Sequence, residues 1–289
     1  MADTVRRWFE LQRDLGGDEL VLDTPMDVAA ALAQRDAPAR SGAAAAPQPP
    51  PAAMSAPRAV VAEPRVMPVA DDDGATGWRK GAPPIPGPGY TVTQPANSPL
   101  TGTSAWDSLD AMAQMIAGCV KCPLCQGRTN AVPGEGNPEA RLMLVGEGPG
   151  ESEDLSGRPF VGRAGELLDK ILESIEMPRA TVFIANVVKC RPPRNRAPLP
   201  EERDACMPYL RRQIALVNPD VILALGSTAA EALLGMKRPL GELRLKVHLW
   251  DGIPLVVTYH PAALLRNPNW KRPAWDDVRI ARQLLDRHG

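Results

Sequence analysis

The chain has 289 residues, 44% of them hydrophobic, and a formal net charge of −1. No apolar run approaches the roughly 18 residues of a membrane span, and no apolar stretch follows Arg6 and Arg7 to make a signal peptide. A cytoplasmic protein with reduced thiols is therefore expected, and the balanced charge excludes a broad basic footprint, so any nucleic-acid contact is local.

In chain order, residues 1–36 read as a short helical segment. Val5, Trp8, Phe9 and Leu15 form a partial stripe that Gly16-Gly17 stops, and a second helix starts at Thr24-Pro25. Its partner is unknown. Residues 37–103 read as a disordered linker. The stretch from Pro38 to Pro99 holds 14 of the 32 prolines and few branched apolar residues, too little apolar surface to offset ordering entropy. A folded domain is expected over 104–289, opening with a helix that carries Trp106, Leu109, Met112 and Ile116.

Four short apolar runs follow, at 141–146, 181–188, 220–226 and 254–260. Continuous apolar runs suit strands buried on both faces. Helical periodicity lies between them, at Ala164–Ile175, at Glu201–Val217 and after Thr228, where Glu231 completes a capping box and Gly235 ends the helix. Trp275, Val278, Ala281 and Leu285 mark a last helix. The alternation predicts an α/β fold, three layers α/β/α, with a central four-stranded parallel sheet behind a disordered N-terminal arm.

Ligands bind such sheets beyond the carboxyl ends of the strands, and three of the runs end there in chemistry. The first ends in Gly146-Glu147-Gly148-Pro149-Gly150, a turn whose backbone can approach a ligand closely. No Gly-Lys-Ser/Thr follows, so it is not a phosphate-binding Walker loop. The second run carries Asn186, whose amide can read the edge of a polar heterocycle. The fourth ends in His260-Pro261, where a fixed imidazole can stabilise developing charge.

The five cysteines, Cys119, Cys122, Cys125, Cys190 and Cys206, all lie in the C-terminal domain. An odd number in a reducing compartment points to metal binding or catalysis rather than disulfides. Cys119-x2-Cys122 with Cys190 and Cys206 can supply four thiolates to zinc or an iron–sulfur cluster, and spacing does not decide between them. Cys122-x2-Cys125 is an equally spaced competitor. Basic residues cluster from Lys189 to Arg196 and from Arg266 to Arg272, where they suit phosphate contacts.

Together these motifs resemble the family-four uracil-DNA glycosylases, the iron–sulfur branch of that superfamily. The resemblance covers roughly residues 106–289. It rests on Cys119-x2-Cys122, GEGPG at 146–150, GRPFVGRAG at 157–165, NVVKCRPPRNR at 186–196, Cys206 and HPAALLRNP at 260–268. It implies a monofunctional DNA repair enzyme that flips uracil out of single- or double-stranded DNA and hydrolyses its glycosidic bond. A monomer that does not engage membranes is expected. It further implies a [4Fe–4S] cluster on Cys119, Cys122, Cys190 and Cys206, with Cys125 outside the set. Phe160 corresponds to the aromatic that stacks on uracil, Asn186 to the amide that reads its edge, and His260 to the imidazole facing O2. Gly146, Glu147 and Gly148 belong to the loop that positions water, with Glu147 ahead of Glu153 as the assisting carboxylate. The family usually has Ala where this chain has Gly148. Lys189, Arg191, Arg194, Arg196 and Arg266 are the expected DNA contacts. The alternative is a non-catalytic, metal-containing nucleic-acid-binding protein of the same fold. A related branch traps DNA through a histidine in an inserted basic loop, but no histidine lies between Asn186 and His248.

Overall fold

A computed structural model describes residues 60–61, 77–93 and 107–287. The two N-terminal helices expected near Thr4 and Thr24, and Trp106, lie outside the described residues. Eight strands form one sheet: β1 (Val60–Val61), β2 (Pro88–Val92), β3 (Glu135–Gly136), β4 (Leu142–Gly146), β5 (Phe183–Asn186), β6 (Val221–Leu225), β7 (Val247–Trp250) and β8 (Ile253–Thr258). Their order is β1-β2-β7-β8-β6-β4-β5-β3. The four apolar runs are the central strands β8-β6-β4-β5, and every pairing among them is parallel.

Alternate residues of these strands serve opposite faces, as the two-residue period requires. Met143 and Val145 pack with Met112 and Ile116 of α1 (Leu109–Ala117), Leu210 and Ile214 of α4 (Pro200–Val217) and Leu233 of α5 (Ser227–Leu234). Leu142 and Leu144 pack with Leu168 and Leu172 of α3 (Arg163–Ser174) and with Val278 and Leu285 of α8 (Lys271–Arg287). The sheet thus separates two apolar cores, giving the three layers. Short helices α2 (Glu151–Ser156), α6 (Leu240–Leu243) and α7 (Pro261–Arg266) complete the set. Among the described residues, no helix is long and apolar enough to cross a membrane.

The expected central four-stranded parallel sheet is present, and two points depart from the rest of the reading. The full sheet is mixed and wider, because β7 pairs antiparallel with β8 and β3 antiparallel with β5. The β7–β8 hairpin turns on Asp251-Gly252, both at positive φ (50° and 84°). Asp-Gly between apolar residues is a strong hairpin signal, because that turn needs φ > 0 at both central positions. It was legible in the sequence and outweighs the mere alternation of strand and helix.

The second correction concerns residues 77–93, inside the expected linker. Trp78 is buried among the α3 and α8 side chains. Val92 is buried, and β2 pairs parallel with β7. Prolines lack donors but keep their carbonyls. Gln283 of α8 donates to Pro83 O, and Arg279 donates to Lys80 O and Gly81 O. His248 completes the attachment: its Nδ1 accepts from Tyr90 N at 3.0 Å, its Nε2 bonds Leu243 O, and its ring stacks on Tyr90. A proline-rich segment with two well-placed aromatics is therefore sewn on through its acceptors.

Chain order sets where a site belongs. From β4 the chain passes to β5 on one side and later to β6 on the other. The crevice between oppositely directed connections lies beyond the C-terminal ends of β4 and β6.

Candidate active site and cysteine-lined cavity

Gly146, the last residue of β4, lies opposite Asn186, the last residue of β5. A Cβ on Gly146 would overlap Asn186 Oδ1 and stand 2.7 Å from Phe160 Cζ. Only glycine lets those two side chains meet across the strand end. The Phe160 ring in turn stacks on His260, with centroids 5.4 Å apart and planes 29° from parallel. Three distant segments thus converge on one strand end, in the places the sequence pattern indicated.

Asn186 is 1% exposed, and its Oδ1 has no hydrogen-bond partner. A buried unpaired acceptor costs roughly 1–3 kcal/mol, so it is retained for something that donates to it. Its carbonyl accepts from Lys189 Nζ, and the N–H of the next residue, Val187, donates to Gly146 O.

Phe160 sits at φ 50°, a left-handed conformation unfavourable for an aromatic residue. The surroundings enforce it. Arg179 donates to Pro159 O (2.5 Å) and Phe160 O (3.1 Å), and Glu135 and Asp169 grip the same guanidinium. Burial opposes ionisation of Glu135, yet hydrogen bonds from Arg158 and Arg179 hold its carboxyl below the usual range. From α2, Glu153 accepts Gly150 N with one oxygen and Val161 N and Gly162 N with the other. Three backbone donors therefore occupy Glu153, and its carboxylate pins the loop. Gly165 belongs to the same device, because a Cβ there would collide with Phe160 O.

Glu147 faces the crevice between β4 and β6. Its Oε2 accepts a 2.5 Å hydrogen bond from Thr228 Oγ1 in the first turn of α5. The expected capping box does not form: Gly226 is the N-cap at φ 92°, Thr228 serves Glu147, and Glu231 pairs with Arg203. Gly235 does end that helix.

His260 is the N-cap of α7, and its Nδ1 accepts from Ala262 N at 3.2 Å. The proton of the neutral ring is therefore on Nε2. Desolvation, with help from the Arg266 charge and against the pull of Glu153, pushes its pKa down to about 4. The ring is thus a neutral donor at ordinary pH. Tyr259, just before it, is held between Trp270, stacked at 4.8 Å, and the Arg244 guanidinium 4.4 Å above its ring. Arg244 in turn makes a bidentate ion pair with buried Asp277. Neither Arg244 nor Asp277 carries a sequence signal beyond being a charge amid apolar neighbours.

On the other face of β5, all five cysteines line one small cavity, with Arg128, Lys189 and Tyr209. Burial raises the Cys122 and Cys190 thiols and pushes Cys206 up to about 11. Cations stand beside these sulfurs. Arg128 Nη1 reaches Cys190 Sγ at 3.1 Å, while it is the backbone N–H of Lys189 that donates to Cys206 Sγ at 3.4 Å. Several thiols together with a guanidinium and a backbone donor make a donor set suited to thiolates bound to a positively charged centre. Among the described residues, no three His, Cys, Asp or Glu side chains converge closely enough to hold a single ion.

The basic residues divide. Arg191, Arg194 and Arg266 flank the strand ends, with Arg194 and Arg266 exposed and Arg191 half-buried beside Asn195 and Glu151. Two expected DNA contacts are otherwise employed. Lys189 is 1% exposed, with its ammonium bonded inward. Arg196 is committed bidentately to Glu202 at 2.6 and 2.8 Å. A residue in a basic run is not thereby on the surface: Lys189 follows a buried strand and shares its environment.

Residues 133–279 match the family model of the uracil DNA glycosylase superfamily. The chain belongs to that superfamily. Within it, the chain is 44% identical over 185 residues to a type-4 uracil-DNA glycosylase of Thermotoga maritima, spanning 63% of this chain and 96% of the relative. A type-4 enzyme of Pyrobaculum aerophilum is 48% identical over 168 residues, covering 55% of this chain and 86% of its own. A type-5 uracil-DNA glycosylase of Thermus thermophilus is 33% identical over 188 residues, covering 52% and 85%. The superfamily match spans β3 to α8, and so includes Gly146, Phe160, Asn186 and His260 but not Cys119 or Cys122.

Proposed function

We propose that this protein is a uracil-DNA glycosylase of the type-4 kind, which extrudes uracil from DNA and hydrolyses its N-glycosidic bond to leave an abasic site. The observation that carries the reading is the unpartnered Asn186 Oδ1, buried beside Phe160 across Gly146. Uracil presents an N3–H donor flanked by two carbonyls, so an acceptor-plus-donor amide matches its edge. A base in a duplex must leave the stack before its glycosidic bond can be reached. Phe160 offers the extruded ring an apolar face in a conformation fixed before binding.

As the bond breaks, negative charge gathers on uracil and the sugar becomes oxocarbenium-like. His260 Nε2–H donates to the developing oxyanion. A neutral donor suits this task, because it strengthens its bond as charge develops without delivering a proton. Glu147, oriented by Thr228, assists the attacking water. Glu153 is unsuited to that role, since its oxygens already serve three backbone donors.

Cys119, Cys122, Cys190 and Cys206 would hold a [4Fe–4S] cluster. When bound, it supplies a cross-link between the segment before β3, the residues after β5 and α4. The convergence of these cysteines on one cavity, with Arg128 and the Lys189 N–H at their sulfurs, supports this assignment, and iron and sulfide quantification separates it from zinc. Arg191, Arg194 and Arg266 are the phosphate contacts of the reading.

The test is incubation with a uracil-containing oligonucleotide followed by alkali. Cleavage at uracil is expected. Intact DNA with fully loaded protein would overturn the proposal.

A further inference from the structure

The Lys189 side chain is fully buried, yet both partners of its ammonium are neutral: Asn186 O at 2.8 Å and Gln213 Oε1 at 2.6 Å. Burying a cation this way is costly unless the hydrogen bonds serve a purpose. Gln213, on α4, is itself fixed, because its Nε2 donates to Pro133 O at 2.7 Å. The main chain of Lys189 is engaged as well. Its carbonyl accepts from Val132 N at 2.7 Å, and its N–H points at Cys206 Sγ. One residue therefore touches the end of β5, helix α4, the segment before β3 and the cysteine-lined cavity.

The bond to Asn186 O has a geometric consequence. Asn186 ends its strand, and just beyond it Val187 N and Val188 N still bond the β4 turn. The carbonyl of Asn186 lies in the peptide plane whose rotation turns the residue against Gly146. Val187 N–H, in the same plane, donates to Gly146 O, so β4 and Lys189 hold the plane together and set the backbone from which the amide projects. An unpaired Oδ1 makes no bond that would orient the amide from the other end.

We propose that Lys189 is a positioning residue for base recognition: braced by Gln213, its ammonium locks the main chain of Asn186 and so aims the amide at the uracil edge. This rests on the reading of Asn186 as the edge reader. The same residue mechanically ties that aim to the cysteine-lined cavity, because its backbone is part of the cavity wall.

The test is a double-mutant cycle in the loaded protein, with iron and sulfide content measured for every variant. Single-turnover uracil release is followed for Lys189→Met, Gln213→Met, Asn186→Ala and the pairs with Asn186→Ala. Lys189→Met is expected to slow release about tenfold, the effect of losing one hydrogen bond to a charged group. It should also weaken inhibition by free uracil. In the Asn186→Ala background it should change release by less than about twofold, because the group it positions is gone. Gln213→Met leaves every cysteine neighbour in place and should show the same pattern at smaller size, so it carries the test if Lys189→Met does not fold or load. Additive losses, or wild-type release in Gln213→Met, would overturn the proposal. Unchanged release in Asn186→Ala alone would instead overturn the reading of Asn186.

Discussion

The pocket at the end of β4 and the cysteine-lined cavity behind β5 handle polar atoms in opposite ways. In the pocket nearly every polar group is already satisfied by the fold: Glu153 by three backbone donors, the Phe160 carbonyl by Arg179 and His260 Nδ1 by Ala262 N. One acceptor, Asn186 Oδ1, stays open. In the cavity, thiols are desolvated and raised while cations stand beside them. The Asn186 acceptor is left for a ligand that donates a hydrogen bond. The cavity becomes favourable when its sulfurs are anionic and bound. On the proposed function, preorganisation serves turnover in the first, and binding energy would serve folding in the second.

That contrast can be broken most severely at the cysteines. Replacing Cys119, Cys122, Cys190 or Cys206 by Ala should each abolish iron and sulfide retention and lower the melting temperature, whereas Cys125→Ala should retain both. Elemental analysis with a thermal melt checks this. If Cys125→Ala instead loses iron, the competing Cys122-x2-Cys125 pair is the true one.

Pocket variants should cost rate and spare the fold. Asn186→Ala and His260→Ala should each lose roughly 10²–10³ in single-turnover release and still bind DNA in a mobility shift. Full activity of His260→Ala would remove the donor from the mechanism.

Arg179→Met strikes the support of the pocket and should slow release about tenfold, equivalent to about 1.4 kcal/mol, with a lower melting temperature. It frees two backbone carbonyls and leaves Glu135 and Asp169 without their shared cation. A lowered melting point with unchanged release would show that Phe160 needs no such clamp.

A pH series probes the same contrast. His260 takes up a proton near 6.5 in the unfolded chain and near pH 4 in the fold. Stability carried by the neutral ring is therefore full above about 6.5 and is lost as pH falls through about 4. Burial lowers the pKa of His248 in the same direction. Release should not titrate with His260 near pH 6.5, and an acid limb there that vanishes in His260→Ala would contradict the neutral-donor role. The smallest effects belong to the surface. Arg191→Ala, Arg194→Ala and Arg266→Ala should each reduce the salt slope of DNA binding by about 1. Arg196→Ala should leave the slope unchanged, because that guanidinium is held by Glu202.

The four central strands were legible because strands buried on both faces need continuous apolar runs, and the site loops were legible because strand ends carry the chemistry. Asn186, Phe160 and His260 meet at one strand end; the strand-end pattern pointed to Asn186 and His260, and Phe160 came only from the family resemblance. What the sequence concealed is the partner of each charge. Lys189 and Arg196 look like their neighbours Arg191 and Arg194, and only packing separates inward cations from outward ones. Residues 77–93 were hidden differently, since composition counts donors and apolar area but misses carbonyls that a helix such as α8 can bind.

The strap formed by residues 77–93 bears on where the chain can be cut. The recognisable motifs begin at Cys119 and the superfamily match at 133, so a truncation at about residue 104 looks safe on paper. It would remove β2 and strip β7 of its parallel neighbour. It would also take Trp78 from its seat among the α3 and α8 side chains. An uncovered row of backbone donors and acceptors beside a vacated apolar hollow is a template for edge-to-edge association. The shortest well-behaved form of this protein therefore begins before Gly77, well upstream of any residue that touches the pocket.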